Sequence, residues 1–220
     1  MADLYKELIN LRNKVLKLGS MVEKAIQDSV RSLVERKSDL AKKVIKGDQK
    51  INALDVEIDE ESIRLLSEGH LKARDLRFVA TTLKITTDLE RMGDLSVNIA
   101  ERAIELNKEP QLKPYIDIPR MAEIAQEMVK DSLDAYVRGC TSLPYKIIET
   151  DNEIDNLTEQ IFNELLFFMI QDPQTISRAI RISSVAKNLE RIADHATNIA
   201  EMVIFMCEGT LKRHAVLPEK

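Results

Sequence analysis

Two thirteen-residue stretches lying one hundred residues apart constrain this chain more than anything else in it. They are Leu89-Glu-Arg-Met-Gly-Asp-Leu-Ser-Val-Asn-Ile-Ala-Glu101 and Leu189-Glu-Arg-Ile-Ala-Asp-His-Ala-Thr-Asn-Ile-Ala-Glu201, identical at eight positions. Polar positions recur with the apolar ones: Glu90 and Glu190, Asp94 and Asp194, Asn98 and Asn198, Glu101 and Glu201. On an α-helix, offsets of four, eight and eleven share a stripe less than about a quarter-turn wide, so each copy is an acidic ridge along one helix face. The chain therefore reads as two like halves.

Hydrophobic spacing extends the pattern outward from the motifs. From Asp3 to about Lys46, apolar residues from Leu4 to Leu33 recur every three and four positions. This spacing predicts a long amphipathic helix with a kink or short break at Ser38-Asp39. Gly47-Asp48 is expected to end it and cap a second helix over 49–68; a third, over 73–107, carries the first motif. Pro110, Pro114 and Pro119 stop helix within 108–119, which makes that stretch a linker.

Beyond the linker the opening pattern returns at an offset of 103, with Asp48-Gln-Lys-Ile-Asn52 matching Asp151-Asn-Glu-Ile-Asp155. The offset drops to 100 at the motif because the turn at Asp172-Pro173 is three residues shorter. Helices are expected over 118–139 with a continuation over 144–150, then over 152–171 and 174–207. The fold class is all-α: two tandem three-helix bundles related by an internal repeat, spanning 1–107 and 120–207, with a C-terminal tail over 208–220.

Charge and composition narrow the function. Thirty-seven acidic against 32 basic residues give a net charge of -5 with no Lys/Arg cluster, which argues against a nucleic-acid partner. Cys140 and Cys207 lack metal or redox spacing and read as reduced thiols of a cytoplasmic protein. The longest apolar run, Leu165 to Ile170, is far too short to span a bilayer, so no membrane insertion is expected.

In each half the second and third helices should run antiparallel around a short turn. That register sets Asp48 level with Asp94 and Asn52 level with Glu90; in the second half it sets Asp151 with Asp194 and Asp155 with Glu190. Three carboxylates and an amide meet in one bundle, four carboxylates in the other. Such oxygen-rich cages suit a hard cation such as Mg²⁺, Mn²⁺ or Ca²⁺, or iron.

The plainer alternative is that acids on a charged helical protein are solvated or paired with Arg. Arg91 and Arg191 point about 100° away from the glutamates and are assigned salt bridges between helices. His195 has Leu95 as its counterpart and reads as a packing or surface residue, while His70 and His214 read as exposed. Asp55 and Asp59 are replaced by Thr158 and Phe162 in the other half and read as a solvated face. The methionines read as core. Neither a glycine-rich phosphate loop, nor a nucleophile elbow, nor a Glu-x-x-His pair is present, which weakens an enzymatic reading.

In these features the chain resembles the PhoU family of phosphate-uptake regulators. The resemblance rests on the two Leu-Glu-Arg motifs, the Asp-x-x-Ile-(Asn/Asp)-x-Leu starts at 48 and 151, Asp75-Leu-Arg77, and the tail Glu208-Gly-Thr-Leu-Lys-Arg-His214. It implies metal bound at paired acidic motifs, here Asp48, Glu90 and Asp94 in one half and Asp151, Asp155, Glu190 and Asp194 in the other. Asn52 departs from the carboxylate expected at its place. The resemblance implies iron or zinc, so that with the hard cations suited to the cage the expected cofactor is a metal ion among iron, zinc, manganese and magnesium. The implied partners are the phosphate ABC transporter and a sensor histidine kinase, bridged by a cytoplasmic, non-enzymatic homodimer. Two other readings stay open: a carboxylate-bridged metalloenzyme, and a metal-free structural helical adaptor.

Overall fold

The computed structural model describes residues 2–69, 71–139 and 142–209. His70, Cys140, Thr141 and the tail over 210–220 lie outside them, so the expectations for His70, His214, the Cys140 thiol and the tail motif fall there too. The described chain is all-α: α1 (Ala2–Val34), α2 (Ser38–Ser67), α3 (Ala73–Leu106), α4 (Asp117–Arg138), α5 (Ser142–Gln171) and α6 (Ile176–Glu208). A single 3-10 turn at Pro173–Thr175 leads into α6, and no strand occurs among the described residues. No described helix is long and apolar enough to cross a membrane.

α1, α3, α4 and α6 pack as a central square in which α1 meets α4 and α3 meets α6. α2 flanks α1 and α3, and α5 flanks α4 and α6. One buried apolar cluster runs through all six helices, so the halves share a core. It contains the predicted stripe of α1 from Leu11 to Leu33 and three methionines, Met92, Met121 and Met128. Each fully buried aliphatic chain there contributes about 1.5–3 kcal/mol relative to exposure. The halves are also tied by Tyr136 and Thr82, whose hydroxyls lie 2.7 Å apart, and by stacking of Tyr136 on Phe78.

Several helix boundaries differ from the sequence reading, and Pro119, expected to stop helix in the linker, is the third residue of α4, where no backbone N–H is needed. The break near Ser38 is a full reversal: Arg36 takes φ 54°, and Lys37 rather than Ser38 precedes the first helical residue. Arg36 donates to the carbonyls of Asn107 and Glu109 at the end of α3, and these bonds offset a backbone conformation that side chains disfavour. Gly47-Asp48, by contrast, ends nothing, because α2 continues through it. One interior glycine costs about 1 kcal/mol against alanine, less than burial of Ala41, Val44 and Ile51 on the same helix returns. In the second half α5 likewise absorbs both the 144–150 and 152–171 segments. Pro144 is its third residue, where no backbone N–H is needed.

Candidate metal centres

Each acidic ridge emerges where a flanking helix crosses the long helix of its own half. Gly93 permits the close approach in the first half, since a Cβ there would stand 3.2 Å from Ile51 and 3.3 Å from Asp48 Oδ1. Asp48 lies in the field of Asp94, and Glu90 in the fields of Asp94 and Asp48; Asn52 Nδ2 donates to Asp48 Oδ2 at 3.0 Å. In the second half Asp151 lies in the fields of Asp155, Asp194 and Glu190. Asp48, Glu90, Asp151 and Glu190 are half-buried, whereas Asn52, Asp155 and Asp194 are exposed. The sites thus have an inner wall and an open rim.

Three oxygens on the inner wall are buried without a hydrogen-bond donor: Asp48 Oδ1, Asp151 Oδ1 and Glu190 Oε2. Burial, followed by the neighbouring carboxylates, pushes Asp151 up to about 6. Burial likewise raises Asp48, though the Asn52 hydrogen bond opposes it, and raises Glu90, Asp155 and Asp194 with further help from adjacent acids. A cation would relieve both the orphaned oxygens and the mutual repulsion, so the donor set fits a hard, oxygen-loving metal. As the side chains stand, no three described His, Cys, Asp or Glu enclose one point at ligand distances, so ligation requires them to rotate.

Cations at the rim differ from expectation. Arg91 does not bridge helices; it reaches Glu90 and Asp94 of its own helix, both at 3.5 Å. In the second half Lys187, one turn before Glu190, holds Glu190 Oε1. A step of three along the helix was the signal for Lys187. His195 is not idle surface: its Nδ1 lies 2.8 Å from Asp88 Oδ1, joining α6 to α3, and Leu95 could not have foretold that pair.

Asp55 and Asp59 are not a plain solvated face either. Asp55 Oδ1 is buried without a donor, and burial raises both carboxyls. Asp55 also acts on Glu90, so the first ridge continues along α2. Counting by threes and fours from Asp48 reaches Asn52, Asp55 and Asp59, and that spacing could have revealed them.

A model of the PhoU domain matches the chain twice, over residues 15–103 and 118–203. A relative from Aquifex aeolicus, named phosphate-specific transport system accessory protein PhoU homolog, is 43% identical over 217 residues, 99% of this chain and 98% of that one. The Pseudomonas aeruginosa protein of the same name is 37% identical, over 94% of this chain and 86% of that one. The crystal structure of PhoU from Pseudomonas aeruginosa superimposes with a TM-score of 0.90 at 37% identity, over 94% of this chain and 99% of that one. The phosphate transport system regulatory protein PhoU from Streptococcus pneumoniae gives 0.89 at 28% identity, over 96% and 99%. Matched in both halves and along nearly its whole length, the chain belongs to the PhoU family.

Proposed function

We propose that the protein regulates phosphate uptake and phosphate-responsive signalling as a cytoplasmic, non-enzymatic adaptor. In this reading it is a homodimer that bridges the phosphate ABC transporter and a sensor histidine kinase, and it holds metal at the two acidic quartets. Supporting the regulatory role is the near full-length likeness to phosphate-specific transport system accessory proteins. The single observation that carries the metal reading is the set of buried carboxylate oxygens, unpaired at equivalent places in both halves: Asp48 Oδ1 in one, Asp151 Oδ1 and Glu190 Oε2 in the other.

Asp48, Glu90 and Asp94, with Asn52 as a neutral fourth donor, would hold metal in the first half. Asp151, Asp155, Glu190 and Asp194 would do so in the second. A bound cation would supply positive charge between each flanking helix and its long helix. Lys187 and Arg91 sit where they would balance the remaining charge of the carboxylates, and the exposed rim leaves the site open to solvent.

The test is complementation. In cells lacking their own copy, the wild-type gene should silence a phosphate-starvation reporter when phosphate is plentiful. The variant Asp151→Asn, Glu190→Gln, Asp194→Asn, expressed at the same level, should silence it less. A wild-type gene that leaves the reporter on overturns the regulatory reading, and a variant that silences fully removes the metal from it.

A further inference from the structure

The two halves differ on the outer seam between their first and second helices. In the second half, Lys146 of α5 donates to Glu127 and Asp131 of α4 at 3.3 and 3.1 Å, and Arg120 of α4 donates to Glu153 of α5 at 2.6 Å. These ion pairs close the seam. At the offset of 103, the first half places Lys43 opposite Lys24 and Asp28, and Lys17 opposite Lys50. Asp28 is taken by Lys24 of its own helix at 3.2 Å, and neither Lys43 nor Lys50 forms an ion pair among the described residues. Over this stretch cross-helix ion pairs give way to lysines facing lysines with Asp28 among them, whereas elsewhere on the same seam Lys14 reaches Glu61 and Arg64 reaches Glu7.

Side-chain size follows the same division. Ala25 and Gly47 stand where the second half has Met128 and Thr150, and a cleft of about 500 Å³ opens between α1 and α2. Met21, Val44 and Ile51 contribute to its apolar floor, Lys24, Arg31, Lys43 and Lys50 stand on its banks, and Asp28 and Asp48 are the two acids in its lining. Gly47 is informative because glycine weakens a helix interior, yet a Cβ there would meet nothing within 4 Å. Internal packing does not need this glycine, and a larger side chain there would project into the cleft that Gly47 lines.

We propose that the cleft is a docking groove for an acidic amphipathic helix of a partner protein. The argument is charge complementarity with a matching period. Lys24 and Arg31 on one bank, and Lys43 and Lys50 on the other, are each seven residues apart, about 10.5 Å along the helix. Lys24 and Arg31 are already held by Asp28 and Glu35 of their own helix, so Lys43 and Lys50 are the cations open to a partner. Acidic residues seven apart along a docked helix would meet these two, while its apolar stripe covers the half-buried Met21, Ala25 and Leu40. From Leu40 to Ile51 the cleft follows about three turns of α2, long enough to seat a short helix. The groove ends at Asp48 and Gly93 of the first acidic quartet, so its test is run on metal-free protein, and it goes beyond the regulatory reading by naming the partner's chemistry.

The probe is a fluorescent peptide of about four helical turns, with leucines on one face and glutamates seven apart on either side. It is titrated into the full chain beside a twin with lysines for glutamates. The acidic peptide should bind and shift the methyl resonances of Met21, Ala25 and Leu40. Affinity should fall about tenfold or more in the double variant Lys43→Glu, Lys50→Glu and separately in Gly47→Leu, which fills the groove without changing charge. Circular dichroism confirms that both variants fold. Failure of the acidic peptide to bind, equal binding of the lysine twin, or binding indifferent to both variants overturns the proposal. So does binding confined to phosphatidylglycerol vesicles, or a change in oligomeric mass on charge reversal, which would give the groove to a membrane or to a second copy.

Discussion

The first and second halves answer the same electrostatic problem in different ways. In the first, Asn52 stands where the second has Asp155, and it donates a hydrogen bond to Asp48. In the second, four carboxylates face one another, Asp151 is pushed up to about 6 by burial and then by its neighbours, and two oxygens rather than one lack a donor. Lys187 is the only side chain that pairs with that quartet among the described residues. Asn52 in place of a carboxylate thus leaves the first site partly self-satisfied, whereas the second keeps two buried oxygens without a donor.

The largest expected effect is therefore in the metal-free second half. Between the ordinary value of 3.8 and about 6, the folded protein holds a proton on Asp151 that the unfolded chain has released. Stability of metal-free protein accordingly rises as pH falls from 7 through 6 toward 4 and is lost again on the way up. Asp151→Asn should remove that slope and stabilise the metal-free chain at pH 7 by about 1–2 kcal/mol, after discounting for solvent screening. Thermal denaturation should show this as a rise of about 3–6 °C. A pH profile unchanged by the substitution would break the comparison.

Next in size is the exchange that makes the halves alike. Asn52→Asp should raise metal affinity at the first site about tenfold while costing the metal-free protein about 1 kcal/mol, because Asp48 loses its donor and gains a like charge. Isothermal titration paired with denaturant unfolding would read both. Lys187→Gln should strengthen metal binding in the second half by about threefold and leave the first half alone, since only a rim ion pair is removed. Smallest in net stability is Gly93→Ala: a helix gain of up to about 1 kcal/mol offsets the crowding of Ile51 and Asp48. Its signature would be weaker metal binding with little change in unfolding, whereas Ala193 already occupies the equivalent place in the second half.

Much of the architecture was legible in the sequence because the signals were local and repeated: the stripe of α1, Pro110 and Pro114 before α4, and the register that aligns Asp48 with Asp94. What escaped has causes elsewhere in the chain. The turn at Arg36 is held by carbonyls of Asn107 and Glu109, and no residue near Arg36 announces them. Gly47 carries a stop signal that burial along α2 overrides, and it lines the cleft instead. Asp55 resembled a solvated acid because its counterpart is Thr158; its buried oxygen results from the packing of α2 on α3. The pairing of His195 with Asp88 depends on how the two halves dock, which an internal repeat does not specify.

The most direct test of the account is elemental analysis of protein purified without chelator or affinity tag. It is set beside two variants, Glu90→Gln with Asp94→Asn and Glu190→Gln with Asp194→Asn. The account predicts stoichiometric iron, manganese, zinc or magnesium in the parent, partial loss in the first variant and the larger loss in the second. A parent that takes up no metal even from excess ions, or variants that keep the parent's full content, would contradict it.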